Sequence, residues 1–261
     1  MTLVVAIICS DGVVIGAESA SSDLEAGTKQ AAEKLQQLGK HSVVYGGSGD
    51  YGLIMKLNEE LIPLGNRPSL PKKVHQEIKR YVVPEMAEAC KQHSPYPQAP
   101  YHQPPCAILL FAGVINKQPW ILEIEKDGRD TYYGPPLGNF AAIGGGKTLA
   151  QALFRPHLNS NRDLRLGQIF TYRLLEDSIE ISASGLAKPI YLYTISLDGA
   201  VKKIDGSELN QISQSCELWR QLERESVGSL LASLDKSGDE AVVTEITEVP
   251  TPGETEKKVE L

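Results

Sequence analysis

The sequence predicts an α+β protein, and three observations lead there. Blocks of β-branched or continuously apolar residues alternate with blocks of helical period, in the order strands, two helices, strands, two helices, strands, helix. The apolar residues make up 41%, and 23 glycines bring that to about half, the usual share for a chain of 261 residues with a buried core. No run of 18 apolar residues occurs, so no segment reads as a membrane-spanning helix. Two antiparallel sheets, each covered by a helix pair, satisfy this order; several other α+β layouts do too.

The elements follow in turn. Leu3 to Cys9 is apolar and β-branched, Asp11-Gly12 is a hairpin signal, and Val13 to Ala17 returns. A short strand at His41–Tyr45 is expected to end in Gly46-Gly47-Ser48-Gly49-Asp50. Leu53, Ile54, Leu57 and Leu61 then share a helical face. A second helix is expected over about Lys72–Lys91, with Val74, Ile78, Val82 and Met86 inward and Pro84 as a kink or break. His93 to Pro105 is too rich in proline for regular structure. Strands follow at Cys106–Ile115, Trp120–Lys126, Asp130–Tyr133 and Phe140–Ile143, with Asp127-Gly128 as a turn. Helices at about 147–156 and 163–178 precede strands at 189–196 and 200–204. A last helix fits 207–234, with Leu218, Leu222, Val227, Leu230 and Leu231 as inner positions. From Asp235 the chain reads as a disordered acidic tail, giving a domain over 1–234 and a tail over 235–261.

Charge and cysteines narrow the function. Residues 235–261 hold eight acidic and three basic side chains, a net of −5; the total is −7, which leaves −2 for the body. A near-neutral body argues against a nucleic-acid surface. The start lacks a basic n-region, so no secretory signal is expected. Cys9, Cys90, Cys106 and Cys216 are scattered without CxxC spacing, which fits a reducing cytoplasm better than a disulfide framework or zinc site. Gly146-Lys147-Thr148 ends like a P-loop, but Ala141 occupies the place of its first glycine, so it reads as a helix start. His93 and His102 lack acidic or cysteine partners for a metal. No cofactor is expected.

Thr2 carries the chemistry. Removal of Met1 would leave a threonine whose α-amine, with a pKa of about 7.7–8.0, serves as general base for its own hydroxyl. Glu18 stands sixteen residues after it and Lys34 thirty-two. The stretch Asp11-Gly12-Val13-Val14-Ile15-Gly16-Ala17-Glu18-Ser19, the turn Gly46-Gly47-Ser48-Gly49-Asp50, the segment Ile143-Gly144-Gly145-Gly146 and the run Ser182-Ala183-Ser184-Gly185 before Ile190-Tyr191-Leu192-Tyr193 carry a resemblance. Over about residues 2–205 the chain resembles the proteasome β-subunit family, in which an acid and a lysine stand at these same offsets from the N-terminal threonine.

The resemblance implies a four-layer αββα sandwich of the N-terminal nucleophile (Ntn) hydrolase type. It implies a threonine-type endopeptidase in a homo-oligomeric ring, acting on peptides or unfolded proteins, with an ATP-dependent unfoldase as a candidate partner and neither nucleic acid nor membrane. Thr2, Glu18, Lys34 and Ser184 match its catalytic positions, and Gly46, Gly47 and Ser48 its oxyanion and substrate-binding turn. Buried, Lys34 would favour its neutral amine and stabilise charge on the Thr2 oxygen, while Glu18 would hold it in place. Three positions depart: the family has aspartate where Glu18 stands, its amine-supporting serine falls on Gly145, and its second aspartate falls on Ile181, beside Glu180. Two alternatives therefore stay open, a non-catalytic proteasome-like subunit and an Ntn amidohydrolase acting on a small amide.

Overall fold

Two five-stranded antiparallel sheets stack face to face, and helices cover both outer surfaces. The computed structural model describes residues 2–23, 28–71, 73–93, 106–134, 138–157, 162–182 and 185–238. The first half of the chain forms β1 (Val4–Cys9), β2 (Gly12–Glu18), β3 (Ala20–Asp23), β4 (Thr28–Ala31), β5 (Leu35–Gln37), β6 (Val43–Gly49), α1 (Tyr51–Gly65) and α2 (Val74–His93). The second half forms β7 (Ala107–Ile115), β8 (Gln118–Ile124), β9 (Asp130–Tyr133), β10 (Phe140–Ile143), α3 (Lys147–Phe154), α4 (Leu164–Ile181), β11 (Ile190–Ser196), β12 (Val201–Ile204) and α5 (Gly206–Gly238). One sheet has the order β10-β1-β2-β11-β12, the other β5-β6-β7-β8-β9, and β3 and β4 form a separate hairpin.

Strand alternation sorts the core into layers. Val4, Ala6, Val13, Ile15, Val44, Leu110, Ala112, Ile121 and Ile143 meet between the sheets. The opposite faces of β6, β7 and β8 present Val43, Tyr45, Leu109, Phe111, Trp120 and Leu122 to Leu57, Leu61, Ile78, Val82 and Met86 of α1 and α2. Every residue of β1 and β2 is buried, which is why these strands read as continuous apolar runs. Each large core side chain contributes roughly 1.5–3 kcal/mol relative to exposure. Asp50 caps α1 by accepting from the Leu53 N–H at 2.8 Å, and Asp163 caps α4 from the Leu166 N–H at 2.8 Å.

Several expectations change. Pro84 does not break α2, which runs on to His93 with Pro84 at an exposed position. The strand expected to stop at Tyr45 continues as β6 through Gly49, so Gly46–Gly49 is sheet and not turn. Gly12 is paired with Cys9 outside the two-residue turn, and a Cβ there would lie 2.2 Å from the Ile195 carbonyl oxygen. The β3–β4 hairpin and β5 were not anticipated.

Residues Met1–Glu217 form one compact unit and Leu218–Leu261 another. In the first, α5 buries Ile212 and Cys216. In the second, Leu218, Leu222, Val227, Leu230 and Leu231 are exposed, each by more than half, and are not the inner positions expected. At 3.6 residues per turn they fan around most of the helix and cannot form a single apolar stripe. Asp235–Gly238, expected to begin a disordered tail, continue α5, and 239–261 lie outside the described residues, as does the loop at 94–105. No described helix is long and apolar enough to cross a membrane.

Candidate active site

The offset between Thr2 and Glu18 follows from hairpin geometry. In the β1–β2 pair Val4 faces Ala17, so partner numbers sum to 21, and Leu3 faces Glu18 one step further. The Glu18 N–H donates to the Leu3 carbonyl at 3.3 Å, and the Leu3 N–H returns to the Glu18 carboxylate at 3.2 Å. Glu18 therefore stands diagonally across from Thr2. Its side chain is wholly buried, which a carboxylate tolerates only when its oxygens are satisfied. They are: besides Leu3, the Ala20 N–H donates at 2.7 Å and the Ala187 N–H at 3.3 Å. The extra methylene relative to aspartate is accommodated by these three main-chain donors.

Lys34 arrives by the unanticipated hairpin. β3 and β4 fold the chain back so that the Ala32 N–H donates to the Ser19 carbonyl at 2.9 Å, and Lys34 then precedes β5. Its ammonium ion-pairs with Glu18 and lies 3.2 Å from Thr2 Oγ1. Burial lowers the Lys34 pKa below the ordinary lysine value, and the Glu18 carboxylate works against that fall. The result is a cation poised at the hydroxyl and less firmly protonated than a surface lysine.

Two glycine-rich stretches, the end of β6 and the Gly144–Gly146 turn, close in from two sides. A Cβ on Gly46 would lie 2.9 Å from the Lys34 carbonyl oxygen, and β5 pairs with β6 only as far as Leu35 and Gly46. Beyond that pair, Gly47 and Ser48 keep only their β7 partners among the described ladders. On the other side, Gly144 has φ +95, and the Gly146 N–H donates to the Thr2 carbonyl at 3.3 Å. A Cβ on Gly144 would meet both that carbonyl oxygen and Ser48 Oγ.

Thr2, Glu18, Lys34, Gly46, Gly47 and Ser48 are thus brought to one end of the inter-sheet layer. Ser184 lies outside the described residues. Gly145 offers no side chain to an amine, Ile181 is 59% exposed, and Glu180 is exposed with its charge near Lys188. The main-chain donors of Leu3, Ala20 and Ala187 were missed, since backbone groups leave no signal in residue type. His93 ends α2, and among the described residues no group of His, Cys, Asp or Glu could hold a metal.

A family profile described as proteasome subunit matches residues 2–188. The chain belongs to the proteasome subunit family. Among solved structures it is similar to Anbu (ancestral beta-subunit) from Yersinia bercovieri, with 15% identity, TM-score 0.66, and 88% of this chain and 97% of that one covered. It is also similar to the helical assembly of the Anbu complex from Pseudomonas aeruginosa, with 14% identity, TM-score 0.68 and coverages of 87% and 96%. Anbu from Hyphomicrobium sp. strain MC1 aligns at 16% identity and TM-score 0.64, covering 87% and 97%. At these identities the structures establish a shared fold, the four-layer arrangement of the proteasome subunits. No match was found among curated proteins.

Proposed function

We propose that this proteasome-family subunit is a threonine-type peptidase, with Thr2 as nucleophile once Met1 has been removed. The observation that carries the reading is the Lys34 ammonium 3.2 Å from Thr2 Oγ1, held by a buried Glu18. The freed α-amine takes the hydroxyl proton as Oγ1 attacks the peptide carbonyl carbon. Negative charge moves to the carbonyl oxygen, where a main-chain N–H at Gly46 or Gly47 receives it, and Lys34 stabilises Oγ1 as it loses its proton. The tetrahedral adduct collapses, the α-amine passes the proton to the departing amine, and an ester to Thr2 remains. Water, deprotonated by the same amine, then cleaves the ester and restores the hydroxyl.

Ser184, which matches a catalytic position of the family, would complete the set with Thr2, Glu18 and Lys34. The substrates are peptides or unfolded proteins reaching an enclosed homo-oligomeric ring, with an ATP-dependent unfoldase as feeder and the reducing cytoplasm as setting. Intact mass after exposure to a threonine-directed β-lactone tests the chemistry. The expected result is a chain lacking Met1 with one adduct, absent in Thr2→Ala. A retained methionine, or no adduct, would overturn it. Light scattering tests assembly: a mass near the 28.4 kDa of one chain would exclude the ring and favour hydrolysis of a small amide.

A second reading is a non-catalytic subunit. Gly145 and the exposed Ile181 favour it, because neither supplies the polar group that the family places beside the amine. An assembled particle that takes no lactone would decide for it.

A further inference from the structure

Glu123 is a carboxylate buried between the sheets, 2% exposed, on the face of β8 that also carries Ile121. Its setting is apolar, and two groups satisfy it. The Tyr133 hydroxyl of β9 donates to one oxygen at 2.8 Å, and the Lys147 ammonium ion-pairs with the other. Lys147 also reaches Glu125 at 3.2 Å. Burial opposes the Lys147 charge, but Glu123 and Glu125 outweigh it and raise its pKa above the ordinary lysine value.

Lys147 is an odd residue for its place. It opens α3, where the helix dipole disfavours a cation, and its helix has neither an acidic residue in the first turn nor a side-chain cap. Its position is explained by what it joins. The Lys147 N–H donates to the Gly144 carbonyl at 3.0 Å, so its main chain closes the glycine turn. That turn holds Thr2, through the Gly146 N–H and through the contact of Gly144 with the Thr2 carbonyl. The side chain meanwhile anchors α3 to β8 of the opposite sheet.

We infer that Lys147 and Glu123 are positioning residues for Thr2, a charged clamp across the two sheets that fixes the Gly144–Gly146 turn. The inference rests on the reading of Thr2 as nucleophile. It gives the turn an anchor where Gly145 has no side chain of its own. A loosened turn would let the Thr2 backbone drift, and alignment of the attacking oxygen is where small displacements cost most.

The test is the rate of β-lactone labelling at Thr2 together with kcat and KM on an unstructured peptide. Lys147→Met should slow labelling and lower kcat by about tenfold with KM unchanged, and Lys147→Arg should recover most of both. Val82→Ala, a core truncation against α2, serves as a control for lost stability and should leave both rates near wild type. If Lys147→Met does not fold, Tyr133→Phe removes one bond to Glu123 and should slow labelling by roughly threefold. Wild-type rates in the folded Lys147→Met protein, or in Tyr133→Phe, would overturn the clamp while leaving the peptidase reading intact. Absence of labelling in the wild type would remove that reading and the clamp with it.

Discussion

Gly144 and Thr2 are fitted so closely that a Cβ on the glycine would stand 2.1 Å from the threonine carbonyl oxygen. The backbone at Gly144, with φ +95, also lies where L-residues are strained. Gly144→Ala should therefore lower stability by roughly 1–3 kcal/mol and push Thr2 out of line. Labelling of Thr2 should fall by about a hundredfold. A thermal melt and the labelling rate check both, and wild-type labelling in this variant would contradict the geometry.

The pH profile should be a bell. Its rising limb belongs to the α-amine, which must be neutral and titrates at about 7.7–8.0. Its falling limb marks the loss of the Lys34 proton and should begin below 10.5, since burial lowers that pKa against the pull of Glu18. Stability should move the other way. Between the lowered pKa and 10.5 the unfolded chain holds more protons at Lys34 than the folded one, so stability rises with pH through that window. Comparison with Lys34→Met isolates this contribution in pH-dependent melts. Lys34→Arg should be inactive, because a broad planar guanidinium does not fit a place shaped for an ammonium.

Glu18 can be tested by length and by charge. Glu18→Ala strands a buried ammonium and three main-chain donors, and should cost about 3–5 kcal/mol. Glu18→Asp keeps the charge but withdraws it by one methylene from the N–H groups of Ala20 and Ala187, so it should label more slowly than wild type and faster than Glu18→Ala. Denaturant titration and labelling rates give the order. Equal stability of Glu18→Ala and wild type would be incompatible with the network.

The thiol of Cys9 offers a check on the layer beneath α4. Burial, then the nearby Asp11, push its pKa up to about 12. Native protein treated with iodoacetamide at about pH 8 should leave Cys9 unmodified, because the thiolate is the reactive form. The partly exposed Cys106 should react before Cys9. Peptide mapping reads the result, and early alkylation of Cys9 would show that this layer opens readily.

Most of the fold could be read in the sequence because its helices are strongly periodic and its central strands are apolar throughout. β9 and β10 run Asp130–Tyr133 and Phe140–Ile143, as their composition predicts. The β3–β4 hairpin escaped because Ala20–Asp23 and Thr28–Ala31 carry few of the β-branched or aromatic residues that mark strands. Gly46–Gly49 suggested a turn because glycine usually marks one, yet here glycine sits within a strand because the main chain approaches closely: a Cβ would lie 2.9 Å from the Lys34 carbonyl oxygen at Gly46 and 2.1 Å from the Cys106 carbonyl oxygen at Gly49. At the site, Thr2, Glu18 and Lys34 were legible as side chains at fixed offsets. The amides of Leu3, Ala20 and Ala187 were not, since any residue but proline could supply them.

The carboxylate of Glu18 also sets a timetable. Its main-chain donors come from residues 3, 20 and 187, and the last lies 169 positions downstream. A nascent chain still holding Ala187 within the ribosome can close the β1–β2 hairpin but cannot complete the setting of its own lysine. Synthesis must therefore run nearly to the end of the first compact unit before all three amides can meet the Glu18 carboxylate, and a truncated or stalled product leaves that buried charge one donor short.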